Sequence, residues 1–152
     1  MFTEQLKLAG ELHLVLTGKD GAIKQHQHVP NLIVNVGLAF ITSRMIGASS
    51  SVMSHMGLGS GTTAVAAGQT DLVSLLGSRE PLDSATQSGT NNEKVVYVAS
   101  FEPGDATGAV TEAGIFNALT AGTMLCRTVF AVVNKGVDDT LTVTWTITLA
   151  AV

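Results

Sequence analysis

Thr140-Leu141-Thr142-Val143-Thr144-Trp145-Thr146-Ile147-Thr148-Leu149, TLTVTWTITL, decides the fold class. Leu141, Val143, Trp145, Ile147 and Leu149 alternate without a break with Thr140, Thr142, Thr144, Thr146 and Thr148. A period of two is the repeat of a β-strand, and here it gives one apolar face. Threonine is β-branched, and its short hydroxyl tolerates water or a neighbouring protein. The second face therefore suits solvent and a subunit contact equally.

Working back from that strand, Asn134-Lys135-Gly136 reads as a turn after a strand over Met124 to Val133. Ala118 to Gly122 reads as a turn between Val110 to Phe116 and Thr123 to Phe130. Lys94 to Phe101 places Val95, Tyr97, Ala99 and Phe101 on one face and stops at Glu102-Pro103-Gly104-Asp105, where proline and glycine favour a turn. These strands predict an antiparallel meander over about 94–150.

At the other end, Glu11 to Thr17 and Ala22 to Val29 flank Gly18-Lys19-Asp20-Gly21, with Leu12, Leu14 and Leu16 alternating. A hairpin over about 6–29 follows. Val36, Phe40, Ile41, Met45 and Ile46 fall near helical spacing, which predicts a short helix over about 36–46, capped by Asn35 and closed by Gly47. Ser49 to Ser51 and Asp83 to Asn92 are small and polar and read as connectors, the second as a mobile surface loop. The expected fold class is mainly β: an antiparallel β-sandwich or barrel-like domain with one short helix, a single domain over 1–152.

Composition narrows the function. Of 152 residues, 45% are hydrophobic and 13% charged, whereas soluble domains usually carry about 25% charged residues. Much of the outside must therefore be neutral. Eight Lys plus Arg against twelve Asp plus Glu give a net charge of −4 and no basic stripe for a nucleic-acid backbone. No apolar run is long enough to span a bilayer, and the MFTEQLKLAGEL start has no signal-type apolar core. Neither nucleic acid nor membrane is an expected partner, and the chain reads as made in cytoplasm. The single cysteine, Cys126, lies within a predicted strand and reads as a packed core thiol.

The candidates for chemistry are few. Gly57-Leu58-Gly59-Ser60-Gly61-Thr62-Thr63-Ala64, GLGSGTTA, follows an apolar run as a dinucleotide-binding loop does. Such a loop needs a parallel sheet around it and an acidic residue at the end of a second parallel strand. The setting is antiparallel, and Asp83, at about the right distance, sits in a polar connector. A phosphate-binding P-loop would also need a lysine and a hydroxyl after its last glycine, where Thr62-Thr63-Ala64 stand. The preferred reading is that Gly57, Gly59 and Gly61 end a strand over Val52 to Leu58 with backbone shapes that other residues dislike.

His26 and His28, two apart on a strand, share a face, with His13 across the hairpin. Gln25 and Gln27 around them favour a solvated or interfacial polar face over a metal site. Glu102 and Asp105 read as servants of their turn. Glu112 lies in Thr111-Glu112-Ala113-Gly114-Ile115-Phe116, a costly place for an unpaired charge. Arg79 or Arg127 is its expected partner in a structural ion pair. No nucleophile beside a base and no paired carboxylates are visible, so no enzyme activity, metal or cofactor is expected.

Asn31-Leu32-Ile33-Val34, Met53 to Thr63, Thr111 to Ala118, Arg127-Thr128-Val129-Phe130, and Asn134-Lys135-Gly136 leading to Leu141 to Ile147 together make the chain similar to a group of small tailed-bacteriophage virion proteins, variously labelled head decoration (cement) or tail-fibre-like. The likeness runs from about Leu6 to Leu149. It implies a non-enzymatic β-protein on a phage particle, made in the host bacterial cytoplasm and assembled as a homotrimer. A decoration protein on the outside of the head would contact the major capsid protein and bridge capsomers; the alternative is a tail, tail-fibre or baseplate component. A receptor binder would want aromatic surface for sugars, and aromatics make up 5% of this chain, which leans toward the capsid. The threonine face of Thr142, Thr144, Thr146 and Thr148 is the candidate assembly surface.

Overall fold

The computed structural model describes residues 3–151; residues 1, 2 and 152 of the expected domain lie outside them. In chain order the elements are β1 (Leu6–Thr17), β2 (Ile23–Pro30), β3 (Leu32–Ile33), α1 (Asn35–Met45), β4 (His55–Gly59), β5 (Glu80–Pro81), β6 (Ser84–Ser88), β7 (Lys94–Phe101), β8 (Gly108–Phe116), β9 (Met124–Lys135) and β10 (Thr140–Ala151). They form two antiparallel five-stranded sheets, ordered β2-β1-β10-β7-β6 (sheet A) and β3-β9-β8-β4-β5 (sheet B). The fold is a β-sandwich with one short helix, and it does not close into a barrel.

The alternating strand lies at the centre of sheet A. β10 pairs with β1 from Thr17↔Thr140 to Leu6↔Ala151 and with β7 on its other side. Its apolar face turns inward: Leu141, Val143, Trp145 and Ile147 are buried beside Leu12, Leu14, Leu16 and Phe101. Opposite them stand Met56, Leu58, Ala113, Ile115, Cys126, Phe130 and Val133 from sheet B, in one contiguous core. Trp145 completes its burial by donating its Nε1–H to Asn31 Oδ1 at 3.0 Å, since an indole N–H left alone in a core would be costly.

The N-terminal hairpin and β7 stand where the sequence predicts them. The meander does not hold as a whole. β8 and β9 form a hairpin in sheet B, but the turn after β9 carries the chain across the sandwich, and β10 joins sheet A between β1 and β7. Alternation says which face of a strand is buried and is silent about which sheet receives it.

Asp83 to Asn92 is also corrected. Ser84–Ser88 is the edge strand β6, paired in register with β7 and exposed along its whole length. With neither face buried it has no hydrophobic period, so backbone pairing alone makes it a strand. A short polar edge of this kind also discourages pairing with other chains.

The helix begins one residue earlier than expected. Val34 is its N-cap and makes no side-chain cap, so Asn35 sits inside the first turn rather than capping it. Gly47, at φ 66°, ends it as expected. Only Gly37 is buried, because α1 lies so close to β9 that a Cβ there would collide with the Leu125 carbonyl oxygen. Val36, Phe40 and Ile41 pack inward, whereas Met45 and Ile46 are 84% and 85% exposed, so the expected five-residue apolar face is interrupted. The strand expected over Val52 to Leu58 is shifted to His55–Gly59, with Val52 exposed ahead of it.

Candidate functional site

The outer face of sheet B carries an unusual stripe for a β-sheet. Gly57, Gly59, Glu112, Gly114, Phe116 and Arg127 lie on neighbouring strands there, with Gly59 opposite Glu112, and Gly114 opposite both Gly57 and Arg127. Residues 60–79, between β4 and β5, fold back over this stripe. A Cβ on Gly57 or Gly114 would crowd Leu72 at 3.1 Å, and one on Gly59 would sit 2.5 Å from both Glu112 Oε1 and the Ser74 carbonyl oxygen. A Cβ on Gly61 would likewise strike Glu112 Oε1.

The glycines are thus chosen for close approach. Gly57, Gly59 and Gly61 are not among the positive-φ glycines, so the expectation that they adopt backbone shapes unfavourable to other residues is corrected.

What occupies this cradle is the protein's own anion. Glu112 Oε1 accepts the backbone N–H of Gly61 at 3.0 Å and of Ser74 at 2.7 Å, and Oε2 accepts that of Val73 at 3.0 Å. Arg127 Nε donates to Oε2 at 2.9 Å, while its NH2 lies 2.8 Å from the same oxygen out of hydrogen-bond alignment. Both side chains are fully buried. Burial pushes the Glu112 carboxyl upward, but the amides of Val73 and Ser74 and the Arg127 guanidinium together outweigh it and hold it below its ordinary range. Backbone amides do bind an anion here, one of them from the glycine string, but the anion is a carboxylate supplied by β8 rather than a phosphate.

Arg127 is the partner of Glu112. Its NH1 also donates to the Thr63 carbonyl at 3.0 Å and to Gln69 Oε1 at 2.9 Å, so the pair ties both halves of the 60–79 segment to the sheet. Arg79 does not join them. It lies 3.5 Å from the Phe116 ring centre, donates to the Ala118 and Ala121 carbonyls, and meets Asp71 at 3.1 Å. It pins the far end of the segment to the β8–β9 turn. No Glu112 oxygen remains for a substrate.

A second network closes one end of the sandwich. Asp139 accepts Lys24 Nζ and the Gly136 N–H, each at 2.8 Å. The Lys24 bond, then the Gly136 bond, lowers its pKa. Lys135, nearly buried, donates to the Glu102 carbonyl at 2.9 Å, and burial lowers its pKa against the pull of Asp105, Asp139 and Glu102. Asp105 accepts the Glu102 N–H at 3.2 Å, so these two do serve their turn, and Glu102 also receives Lys135. Cys126 is fully buried, and burial pushes its thiol well above its usual range.

The outer face of sheet A carries the threonine row of β10. Thr142 lies between Val15 and Ser100, Thr144 between His13 and Val98, Thr146 between Glu11 and Val96, and Thr148 between Ala9 and Lys94. All four threonines are half-buried by these neighbours. His26 and His28 reach the same face, with His28 paired to His13 and His26 to Val15. Gln25 and Gln27 turn the other way, toward β9, where Gln27 donates to the Ala131 carbonyl at 2.7 Å. They do not form a polar edge with the histidines, as the sequence suggested. Between α1 and sheet A, Phe40, Ile41, Val95, Tyr97, Ile147 and Leu149 line an apolar groove of about 210 Å³.

Glycine alternating along a strand was the signal for the Glu112 cradle. The roles of Gln69, Asp71 and Lys135 had none, since each depends on a chain reversal that brings distant residues together. Among the described residues no helix is long and apolar enough to cross a membrane. No protein-family model, curated protein or solved structure matches the chain.

Proposed function

We propose that this chain is a structural protein of a tailed-bacteriophage particle, a decoration (cement) protein that self-associates as a trimer and binds the major capsid protein on the outer surface of the head. The reading rests on the sequence resemblance described above and on one observation, the outer face of sheet A. Around Thr142, Thr144 and Thr146 the flanking strands offer Val15, Val96, Val98, Ser100 and His13. Of the charged members of the three central strands on this face, Lys7 and Lys94 lie toward one end, and Glu11 stands at mid-strand across from Thr146.

A rigid, nearly uncharged sheet face suits burial by another protein because few charges need be desolvated. A specific interface commonly covers about 1,600 Å² in total. Met45 and Ile46 add exposed apolar side chains at the end of α1. Several copies acting from one oligomer would raise the apparent affinity for a repetitive shell. On this reading the chain catalyses nothing, and Glu112 and Arg127 hold residues 60–79 against sheet B.

Quantitative mass spectrometry of purified particles tests the proposal. A decoration protein should approach the abundance of the major capsid protein. Complete absence from the particle ends the virion reading, and a copy number that is a small fraction of the capsid protein moves the assignment to the tail.

A further inference from the structure

The apolar groove between α1 and sheet A exists because the inward face of that sheet is incompletely covered at one end. On β7, Ala99 and Phe101 are fully buried, whereas Val95 and Tyr97, on the same inward face, are half-buried. β10 repeats the pattern, with Trp145 fully buried and Leu149, four residues on, half-buried. Gly37 sets α1 against Leu125 of β9, and one turn later Phe40 and Ile41 stand opposite the exposed ends of β7 and β10. The space left between them measures about 210 Å³, is walled almost wholly by carbon and opens to solvent.

Among the described residues, the charged side chain that lines this groove is Arg44. Arg44 is exposed, and its guanidinium carbon stands 5.6 Å from the ring centre of Phe40, part of the groove wall. Its NH1 donates to the Ser50 carbonyl at 2.6 Å, which leaves Nε and NH2 without a hydrogen bond among the described residues. Arg79 and Arg127 each meet a carboxylate, and Arg44 meets none among the described residues.

We propose that this groove binds a small organic carboxylate whose apolar body is about the size of one ring, with the body between α1 and sheet A and the carboxylate on Arg44. Size, wall and charge each bear on the choice. An apolar cavity of about 150 Å³ accepts benzene, so about 210 Å³ holds a ring with a short arm. Phe40 and Tyr97 offer aromatic partners for that ring. A polar body would lose its water in this wall without gaining a partner. A carboxylate at the mouth can accept from Nε and NH2 together, as a planar fork, whereas an ammonium group there would be repelled. An apolar pocket with one placed polar group is the usual form of a small-molecule site. The inference stands independently of any role on a virion.

The test is an NMR titration of the isotopically labelled full chain with three ligands that share one body and differ in the head group: phenylpropionate, phenylpropanol and phenylpropylamine. Saturable shifts should centre on the methyl groups of Ile41, Val95, Ile147 and Leu149. The acid should bind about threefold or more tightly than the alcohol, and the amine should bind most weakly. Arg44→Gln should reduce the affinity for the acid to that for the alcohol and leave the alcohol's own affinity unchanged. Mere loosening of the helix would weaken both. Circular dichroism should show the variant folded, because Arg44 is exposed. No saturable shift with the acid, shifts centred elsewhere on the protein, or equal affinity of the wild type for acid and alcohol would overturn the site. A preference for the acid that survives in Arg44→Gln would overturn the role given to the arginine.

Discussion

Glu112 on β8 and Arg127 on β9 meet as a fully buried ion pair beneath the 60–79 segment, with Nε and NH2 of the arginine 2.9 and 2.8 Å from one carboxylate oxygen. The other carboxylate oxygen is held by the amides of Gly61 and Ser74. Taking two charges out of water is costly, and this pair is tolerable only because nearly every polar atom finds a partner. Breaking it from one side strands a charge in the interior.

Glu112→Ala should therefore destabilise the fold by about 3–5 kcal/mol, and at this chain length lower the Tm by roughly 10 °C. Limited proteolysis of the variant should cut first within residues 60–79, which lose their anchor. A melting curve within 2 °C of the wild type would refute the anchoring role.

The glycine stripe allows a paired comparison. Gly59→Ala puts a Cβ 2.5 Å from Glu112 Oε1 and the Ser74 carbonyl oxygen, and should cost about 1–3 kcal/mol by overpacking. Gly68→Ala, in the same segment, meets nothing within 4 Å, and should change stability by no more than about 0.5 kcal/mol. Chemical denaturation of both variants decides the matter. Equal stabilities would show that close approach is not why glycine is needed at 59.

Acid should loosen the same anchor. The folded pKa of Glu112 is lowered, so its contribution to stability is fully present above the unfolded value of about 4.3 and is lost as pH falls from there through the folded value. Asp139, lowered by Lys24 and Gly136, acts with the same sign. Urea unfolding should show stability falling below about pH 4.5, and less steeply in Glu112→Gln than in the wild type. Parallel slopes would remove Glu112 from the acid response.

The thiol of Cys126 is buried and its pKa is raised by that burial, so it should resist aromatic disulfide reagents in the native state and react on unfolding. Prompt stoichiometric labelling of folded protein would contradict its place in the core.

The sheet A surface gives a test of assembly. Thr142→Lys and Thr144→Lys together place two ammonium groups where the direct cross-strand neighbours, Val15, Ser100, His13 and Val98, include no carboxylate, with little effect expected on the fold of one chain. If the chain self-associates through this face as proposed, light scattering should show the wild type as an oligomer and the double variant as folded monomer. Wild type and double variant of the same oligomeric size would rule this face out as the contact surface.

Much of this molecule was legible in residue order, and the legible parts share a cause. The faces of β10 and β7, the N-terminal hairpin and the glycine closing α1 are set by side-chain period and turn chemistry, which act between near neighbours. The buried partner of Glu112 was legible too, but as a choice between Arg79 and Arg127, because a charge in an apolar strand announces a need and not an address.

Amino-acid sequence by itself determined that the chain is β-rich, which face of each alternating strand is apolar, that Cys126 is internal, and that Glu112 requires a cation. Tertiary structure alone decided that β10 leaves the β8–β9 hairpin to lie between β1 and β7, that Ser84–Ser88 is a strand, that Arg127 and not Arg79 meets the carboxylate, and that Gln25 and Gln27 turn away from the histidines toward β9. The physical reason is range. Period and turn preference are local, whereas sheet membership, ion-pair choice and cross-strand clustering depend on which distant segments pack together, and those are selected by the free energy of the whole fold.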